Sequence, residues 1–175
     1  MTRIFLVGYM GAGKTTLGRA LARELNLGFI DLDCYIEERY HKSISQIFAE
    51  KGEEEFRLLE QRLLHEVAEF EDVIISTGGG TPCFFDNIDY MNRQGTTVYL
   101  QVPIERLFIR LSIARSKRPL IKDKKDEELR LFIEQQLAKR QAYYSRAGHS
   151  FVADRLEDRM QVADSVAAFR KQFAI

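Results

Sequence analysis

A glycine-rich segment near the start of the chain has the composition of a phosphate-binding loop. Gly8–Thr15 reads Gly-Tyr-Met-Gly-Ala-Gly-Lys-Thr and matches the pattern Gly-x-x-x-x-Gly-Lys-Ser/Thr at every fixed position. Glycines let backbone N–H groups approach a phosphate closely, and the start of a following helix adds a positive partial charge. The alternative is a glycine-rich turn with an incidental lysine. The predicted nucleotide-binding residues here are Gly11, Ala12, Gly13, Lys14, Thr15 and Thr16, with Lys14 on the β- and γ-phosphates and the Thr15 hydroxyl on Mg²⁺.

Two acidic residues follow the second short apolar run of the chain. Asp31 and Asp33 would lie on the same side if the extended geometry of a strand continued through them. One carboxylate would then bind Mg²⁺ through water, while the other accepts a substrate hydroxyl and draws its proton. The alternative is a helix N-cap next to a surface acid.

Arg57 lies near the start of a strongly amphipathic segment, residues 52–70. Glu60 follows three residues later, so a helical ion pair could fix the guanidinium group of Arg57. A fixed guanidinium suits bidentate recognition of a carboxylate. The alternative is a solvated ion pair on the surface.

Three successive glycines, Gly78, Gly79 and Gly80, follow another apolar run. A run of glycines loses much backbone entropy on folding, so packing alone explains it poorly. The segment suits a close approach of the backbone to a ligand. The alternative is a tight turn.

Two further arginines lie in the second half of the chain. Arg118 is in a highly charged stretch, where a mobile loop could close over phosphates and stabilise the charge in transfer. Arg140 lies on a predicted helix just before Tyr143 and Tyr144. A solvated surface position is the alternative for both arginines.

Alternating strand and helix patterns position these residues. Short apolar runs rich in β-forming residues predict strands, and apolar residues at three- and four-residue spacing predict helices. Such alternation indicates a parallel α/β sheet, where ligands bind at the carboxyl ends of strands, so Gly8, Asp31 and Gly78 should converge. The predicted strands are 4–7, 29–30, 73–76, 97–100 and 150–152, the helices are 14–25, 52–70, 104–113, 128–147 and 160–173, and residues 115–128 form a surface loop.

The composition limits the possible classes of function. A chain of 175 residues fits one domain, and 26 basic against 26 acidic residues give a formal net charge of 0. This balance gives no support to binding of nucleic acid or membrane through bulk positive charge. No apolar run approaches a membrane span or a signal peptide, and two cysteines, Cys34 and Cys83, cannot make a disulfide-rich scaffold. We expect a cytoplasmic protein.

Taken in this order and spacing, the motifs resemble those of the shikimate kinase family. The resemblance runs from about residue 3 to residue 152, which is most of the chain. The phosphate loop is common to many kinases, whereas the acidic pair, the Gly-Glu-x-x-Phe-Arg segment and the glycine triplet in series are much more specific. The matching segments are Gly8–Thr15, Asp31-Leu32-Asp33, Gly52–Arg57, Gly78–Gly80, Arg118-Pro119-Leu120 and Arg140-x-x-x-Tyr144.

The resemblance implies a P-loop kinase fold of the nucleoside monophosphate kinase type. In that fold a five-stranded parallel sheet in the order 2-3-1-4-5 is flanked by helices. It implies a single domain over residues 1–175, with a substrate-binding segment at about 33–60 and a mobile lid at about 115–126. The implied reaction is ATP-dependent phosphorylation of the 3-hydroxyl of shikimate, which gives shikimate 3-phosphate and ADP on the route to chorismate and the aromatic amino acids. It also implies one Mg²⁺ per site and a monomer.

The resemblance also assigns roles to residues by position. Asp33 would bind the shikimate hydroxyls and act in catalysis with Lys14 and Arg118. The remaining roles fall to Thr15 and Asp31 for the metal, Arg57 and Arg140 for the shikimate carboxylate, Gly78, Gly79 and Gly80 for the ring hydroxyls, Arg118 for the phosphates and Arg110 for the adenine.

Two other readings of the sequence remain. A gluconate kinase or a nucleoside monophosphate kinase would share the fold, but the joint presence of Asp33, Arg57 and Gly78–Gly80 argues against both. A nucleotide-binding regulatory module without transfer activity is compatible with the neutral charge and the phosphate loop. It would not need the acceptor residues, and here they are present.

Overall fold

One parallel β-sheet organises the chain, which the computed structural model describes over all its residues, Met1–Ile175. Five strands pair in the order β2-β3-β1-β4-β5, as expected. Every pairing is parallel, and each strand is joined to the next along the chain by a connection that contains at least one helix. The strands are β1 (Arg3–Val7), β2 (Gly28–Asp31), β3 (Val73–Ser76), β4 (Thr96–Gln101) and β5 (His149–Val152).

Helices flank this sheet and follow its strands. None of them is both long enough and apolar enough to span a bilayer. Two short 3₁₀ turns, Thr81–Cys83 and Arg115–Lys117, link elements near the carboxyl edge of the sheet. The helices are α1 (Lys14–Leu25), α2 (Leu32–Tyr40), α3 (Ile44–Val67), α4 (Asn87–Gln94), α5 (Ile104–Ile113), α6 (Asp126–Tyr144) and α7 (Arg159–Phe173).

The central strands are buried on both of their faces. All residues of β1 and β3 are buried, and Phe5, Leu6 and Val7 have no solvent exposure. Because successive side chains of a strand point to opposite faces, both faces of the sheet must be covered. This explains why these strands read as continuous apolar runs rather than as alternating ones.

The structure corrects the prediction for the acidic pair. Strand β2 ends at Asp31, and α2 begins at Leu32, so the strand geometry does not continue through Asp33. Asp31 is the N-cap of α2, and its Oδ1 accepts a hydrogen bond from the Cys34 backbone N–H at 3.1 Å. The N-cap alternative was therefore right for Asp31, and Asp33 lies in the first turn of a helix.

The helices differ from the prediction in several places. Helix α3 begins at Ile44 with a capping box between Ser43 and Gln46, and Gly52, with φ 81°, breaks it where the sequence suggested a helix start. Helices α2 and α4 were not predicted. The predicted loop 115–128 ends earlier, because α6 starts at Asp126, and its Ile121 is fully buried.

Candidate active site

The carboxyl ends of β1, β2 and β3 meet at two adjoining cavities. Gly8, Asp31 and Gly78 lie at these ends, so their predicted convergence is confirmed. One cavity, of about 540 Å³, is lined by the phosphate loop, and the other, of about 550 Å³, by α2, α3 and the Lys117–Leu120 segment. Residues that line both cavities are Met10, Asp33, Gly78, Gly79 and Arg118.

The first cavity has the backbone geometry of an anion site. Gly11 and Gly13 have φ values of 79° and 92°, in the left-handed region that favours glycine. Gly13 is also the N-cap of α1 and supplies no side-chain cap, so the first N–H groups of that helix lack a capping side chain. Lys14 folds back over the loop, and its Nζ donates to the carbonyls of Gly8 at 2.7 Å and Tyr9 at 2.9 Å.

A buried lysine and a half-buried arginine line this cavity. Burial lowers the pKa of Lys14 to about 8, against the opposing effect of the Asp33 carboxylate. Burial likewise lowers the pKa of Arg118, and Asp33 again acts in the opposite direction. Desolvation disfavours both positive charges, and a nearby negative charge offsets that cost. A polyanion bound next to Lys14 and Arg118 would therefore interact favourably with both.

Thr15 and Asp31 supply adjacent oxygen atoms on the wall of the first cavity. The Thr15 hydroxyl donates a hydrogen bond to Asp31 Oδ2 at 2.8 Å. Both residues line the cavity next to Lys14. A hydroxyl and a carboxylate are hard oxygen donors of the kind that Mg²⁺ prefers, and Mg²⁺ typically retains several waters and needs few protein ligands.

Asp33 lies where the two cavities join. Burial raises the pKa of its carboxyl to about 6, and the nearby Glu60 and Asp31 carboxylates add to this increase while Lys14 opposes it. A carboxylate in this position faces a nucleotide on one side and an acceptor on the other. It can accept a hydrogen bond from an acceptor hydroxyl there.

The second cavity holds the predicted ion pair. Arg57 Nη1 donates to Glu60 Oε1 at 3.0 Å, and the two side chains are only 11% and 1% exposed. The surface-pair alternative for Arg57 is therefore wrong. Burial raises the pKa of Glu60, and the neighbouring Arg57 guanidinium is the largest opposing influence. Phe48 and Phe56 supply apolar surface on the same wall.

Arg140 lines the same cavity from a different helix. Helix α6 carries it, and its Cζ lies 5.7 Å from the ring centroid of Tyr9 in the phosphate loop. One turn further on, Tyr144 is buried, and its hydroxyl donates to the Gly79 carbonyl at 2.6 Å. Arg57 and Arg140 thus present two guanidinium groups to one cavity.

The glycine triplet leads into a turn, in which the Thr81 N–H donates to the Gly78 carbonyl at 3.1 Å, and it also packs closely against site side chains. None of its three residues has a positive φ. A Cβ at Gly78 would lie 3.0 Å from Asp33 Oδ1, one at Gly79 would lie 3.0 Å from Arg140 Nη1, and one at Gly80 would lie 2.7 Å from Arg57 Nη2. Each glycine therefore makes room for a different site side chain.

Arg110 lies behind the phosphate loop. Its guanidinium donates to the carbonyls of Gly11, Ala12 and Ala153 at 3.2, 3.3 and 2.8 Å, and it pairs with Glu157 at 2.7 Å. Arg110 also lines the first cavity. The structure thus gives it a bracing contact to the loop that the sequence did not indicate, and the predicted adenine contact remains a prediction.

The structure brings nearly all the predicted site residues together. Thr16 lines the first cavity at its exposed side, whereas Ala12 is buried and does not line it. The sequence analysis missed Tyr144 as a hydrogen-bond donor to Gly79, and Leu156, whose side chain packs against Gly13. Leu156 had no recognisable signal, since only the tertiary fold places it beside the phosphate loop.

Comparison with known proteins identifies the family. The shikimate kinase family model matches residues 10–170. A curated shikimate kinase of Phocaeicola vulgatus is 61% identical over 172 residues, which covers 98% of each chain. This chain belongs to the shikimate kinase family. The kinase also resembles solved structures along its whole length.

Two of these structures are informative. The 1.7 Å crystal structure of shikimate kinase from Bacteroides thetaiotaomicron has a TM-score of 0.94 and 55% identity, and the comparison covers 99% of both chains. Shikimate kinase from Acinetobacter baumannii, in complex with shikimate, has a TM-score of 0.83 and 30% identity over 99% of this kinase and 94% of that chain. These matches disfavour the reading as a non-catalytic module.

Proposed function

We propose that the kinase transfers the γ-phosphoryl group of ATP to the 3-hydroxyl of shikimate at the junction of its two cavities. The products are shikimate 3-phosphate and ADP, in the synthesis of chorismate and the aromatic amino acids. The observation that carries this proposal is that Asp33 and Arg118 line both cavities. An acceptor hydroxyl on one side and a phosphate on the other would meet beside these two side chains.

The first cavity binds the nucleotide. The N–H groups at the start of α1 and the loop of Gly11 and Gly13 hold the phosphates, and Lys14 leaves the loop carbonyls to contact them. Thr15 and Asp31 hold Mg²⁺, which is supported by their adjacent hard oxygen atoms. The metal would neutralise phosphate charge. Arg110 contacts the nucleotide on the adenine side.

The second cavity binds shikimate, a small carboxylate with three hydroxyl groups. Arg57 and Arg140 bind its carboxylate, which is supported by the fact that both side chains line this cavity. Asp33 binds the hydroxyls, and the backbone of Gly78, Gly79 and Gly80 lies against the ring. Phe48 and Phe56 cover the apolar carbons of the ring.

The chain's own residues then perform the transfer in one step. Asp33 accepts a hydrogen bond from the 3-hydroxyl, orients its oxygen toward the γ-phosphorus and receives its proton as the new O–P bond forms. The bond between the γ-phosphorus and the bridging oxygen breaks, and ADP leaves. Lys14 and Arg118 stabilise the charge that develops on the transferring group.

The domain arrangement follows the same scheme. Residues 1–175 form one domain, in which residues 33–60 bind the acceptor and residues 115–126 form a lid that carries Arg118. Support comes from the residues of both segments that line the second cavity. We also propose that the kinase is a cytoplasmic monomer whose small-molecule partners are ATP and shikimate, without nucleic acid or membrane.

A substrate panel tests the proposal. Release of ADP is measured with Mg²⁺-ATP and shikimate, quinate, gluconate or AMP as separate acceptors. We expect rapid release with shikimate alone. Rapid release with gluconate or AMP instead would contradict the proposal, as would no release with shikimate from folded protein that binds ATP.

A further inference from the structure

The guanidinium group of Arg57 contacts an aromatic side chain that has no part in the reaction described above. Its Cζ lies 4.1 Å from the ring centroid of Phe84, well within the range of a cation–π contact. The contacts with Phe48 and Phe56 are longer, at 5.7 and 5.2 Å. Unlike those two residues, Phe84 does not line the acceptor cavity, so it contacts Arg57 without facing the substrate.

A second interaction acts on Arg57 indirectly, through the Glu60 carboxylate. While Glu60 Oε1 accepts from Arg57, its Oε2 accepts a hydrogen bond from the Thr81 hydroxyl at 2.9 Å. The Thr81 carbonyl in turn accepts from Asn87 Nδ2 at 2.9 Å. Thr81 and Asn87 have no solvent exposure, so water cannot replace these bonds. The Thr81 hydroxyl therefore fixes the carboxylate that fixes Arg57.

Thr81 and Phe84 belong to one short rigid segment. A 3₁₀ turn spans Thr81–Cys83, contains Pro82 and is closed by backbone hydrogen bonds from Thr81 to Gly78 and from Cys83 to Gly80. This turn directly follows the glycine triplet that packs against the site side chains. The segment thus acts on Arg57 directly through Phe84 and indirectly through Thr81 and Glu60, and neither Thr81 nor Phe84 lines the acceptor cavity.

We propose that Thr81 and Phe84 are positioning residues that set the affinity of the kinase for the substrate carboxylate by orienting Arg57. This inference rests on the proposed role of Arg57 in carboxylate binding. A guanidinium that is already fixed loses less side-chain entropy when it binds a carboxylate. Removal of either contact leaves Arg57 and its charge in place but lets the guanidinium adopt other orientations.

The test compares Thr81→Val and Phe84→Leu with two matched controls. Thr97→Val removes a buried hydroxyl on β4, and Phe85→Leu alters the exposed neighbour of Phe84. Calorimetry measures the Kd for shikimate and for methyl shikimate, which lacks the carboxylate charge, and steady-state assays give kcat and both KM values. Arg57→Met reports the full contribution of the guanidinium.

We expect Thr81→Val and Phe84→Leu each to raise the Kd for shikimate about tenfold, the size of one lost hydrogen bond or cation–π contact. Affinity for methyl shikimate, the KM for ATP and kcat should change less than about twofold, because the lost orientation acts on a carboxylate. Thr81→Ser should restore wild-type affinity, and the two controls should behave as wild type.

Three results distinguish failure of the positioning role from failure of the proposed function. If Arg57→Met weakens shikimate binding but Thr81→Val and Phe84→Leu do not, the positioning role is wrong and the proposed function stands. If the two variants weaken methyl shikimate binding equally, their effect is general and the positioning role is again wrong. If Arg57→Met leaves shikimate binding intact, the proposed role of Arg57 fails first. The melting temperature shows whether the Thr81→Val protein is folded. If that protein does not fold, Phe84→Leu provides the test, because Phe84 is only half-buried.

Discussion

The Thr15 hydroxyl donates a hydrogen bond to Oδ2 of Asp31, and Oδ1 of the same carboxylate caps the helix that carries Asp33. One acidic side chain therefore links the phosphate loop to the start of α2. Because Asp33 lies in the first turn of that helix, Asp31 joins the element that carries Asp33 to the phosphate loop.

The double role of Asp31 leads to a prediction about metal and stability. The substitution Asp31→Asn keeps an N-cap residue but removes the charge that would hold Mg²⁺. We therefore expect half-maximal activity to need a higher Mg²⁺ concentration, while the melting temperature changes little. Asp31→Ala should also lose about 1 kcal/mol of folding free energy. Asp158→Ala removes an equivalent N-cap on α7 and should affect stability alone. An unchanged Mg²⁺ dependence in Asp31→Asn would exclude a role for its charge in metal binding.

Asp33→Asn should nearly abolish phosphoryl transfer. The amide retains the size of the side chain but cannot receive the hydroxyl proton, and we expect kcat to fall by about 10²–10⁴-fold. Binding of ATP, measured by calorimetry, should survive because the phosphate loop is unaltered. Normal turnover in this variant would remove Asp33 from the mechanism.

Arg140→Met should weaken shikimate binding selectively. Loss of a charge-assisted hydrogen bond of about 1.5–3 kcal/mol corresponds to a 10- to 150-fold rise in the KM for shikimate. The KM for ATP should change little. Arg130→Met alters another arginine of α6, which pairs with Glu105 away from both cavities, and should leave both KM values unchanged. Equal effects of the two variants would indicate a general effect on α6.

Gly80→Ala should raise the KM for shikimate by displacing a guanidinium group rather than by unfolding the chain. The added Cβ would lie 2.7 Å from Arg57 Nη2, which is the end of a flexible side chain and can move away. Gly28→Ala, where the nearest atoms would lie at an ordinary 3.7 Å, is the control. A change in the KM for ATP, or a matching change in Gly28→Ala, would contradict this interpretation.

Arg118→Met should lower kcat more than it changes either KM. A positive charge at the transferring phosphoryl group acts mainly in the transition state, and we expect a loss of about 100-fold or more. Lys122→Met removes an exposed cation from the same segment and should have little effect. A loss confined to the KM for ATP would assign Arg118 to nucleotide binding only.

Sequence alone determined the features that depend on local patterns. The limits of α1, the apolar strands and the phosphate loop follow from periodicity and glycine spacing, since these properties are fixed by neighbours along the chain. The pairing of Arg57 with Glu60 was also predictable, because residues three apart lie on one face of a helix. The sheet order came from the resemblance to a family rather than from periodicity.

The tertiary structure decided what depends on contacts between distant residues. Asp33 lies on a helix because Asp31 caps it, and a two-residue spacing cannot distinguish that arrangement from a strand. The sequence predicted that the backbone of the glycine triplet approaches a ligand closely. The fold adds that a side chain at any of these positions would crowd Asp33, Arg140 or Arg57. The contact of Phe84 with Arg57 has no local signal, because the packing of the segment after β3 against α3, rather than spacing along the chain, brings the two side chains together.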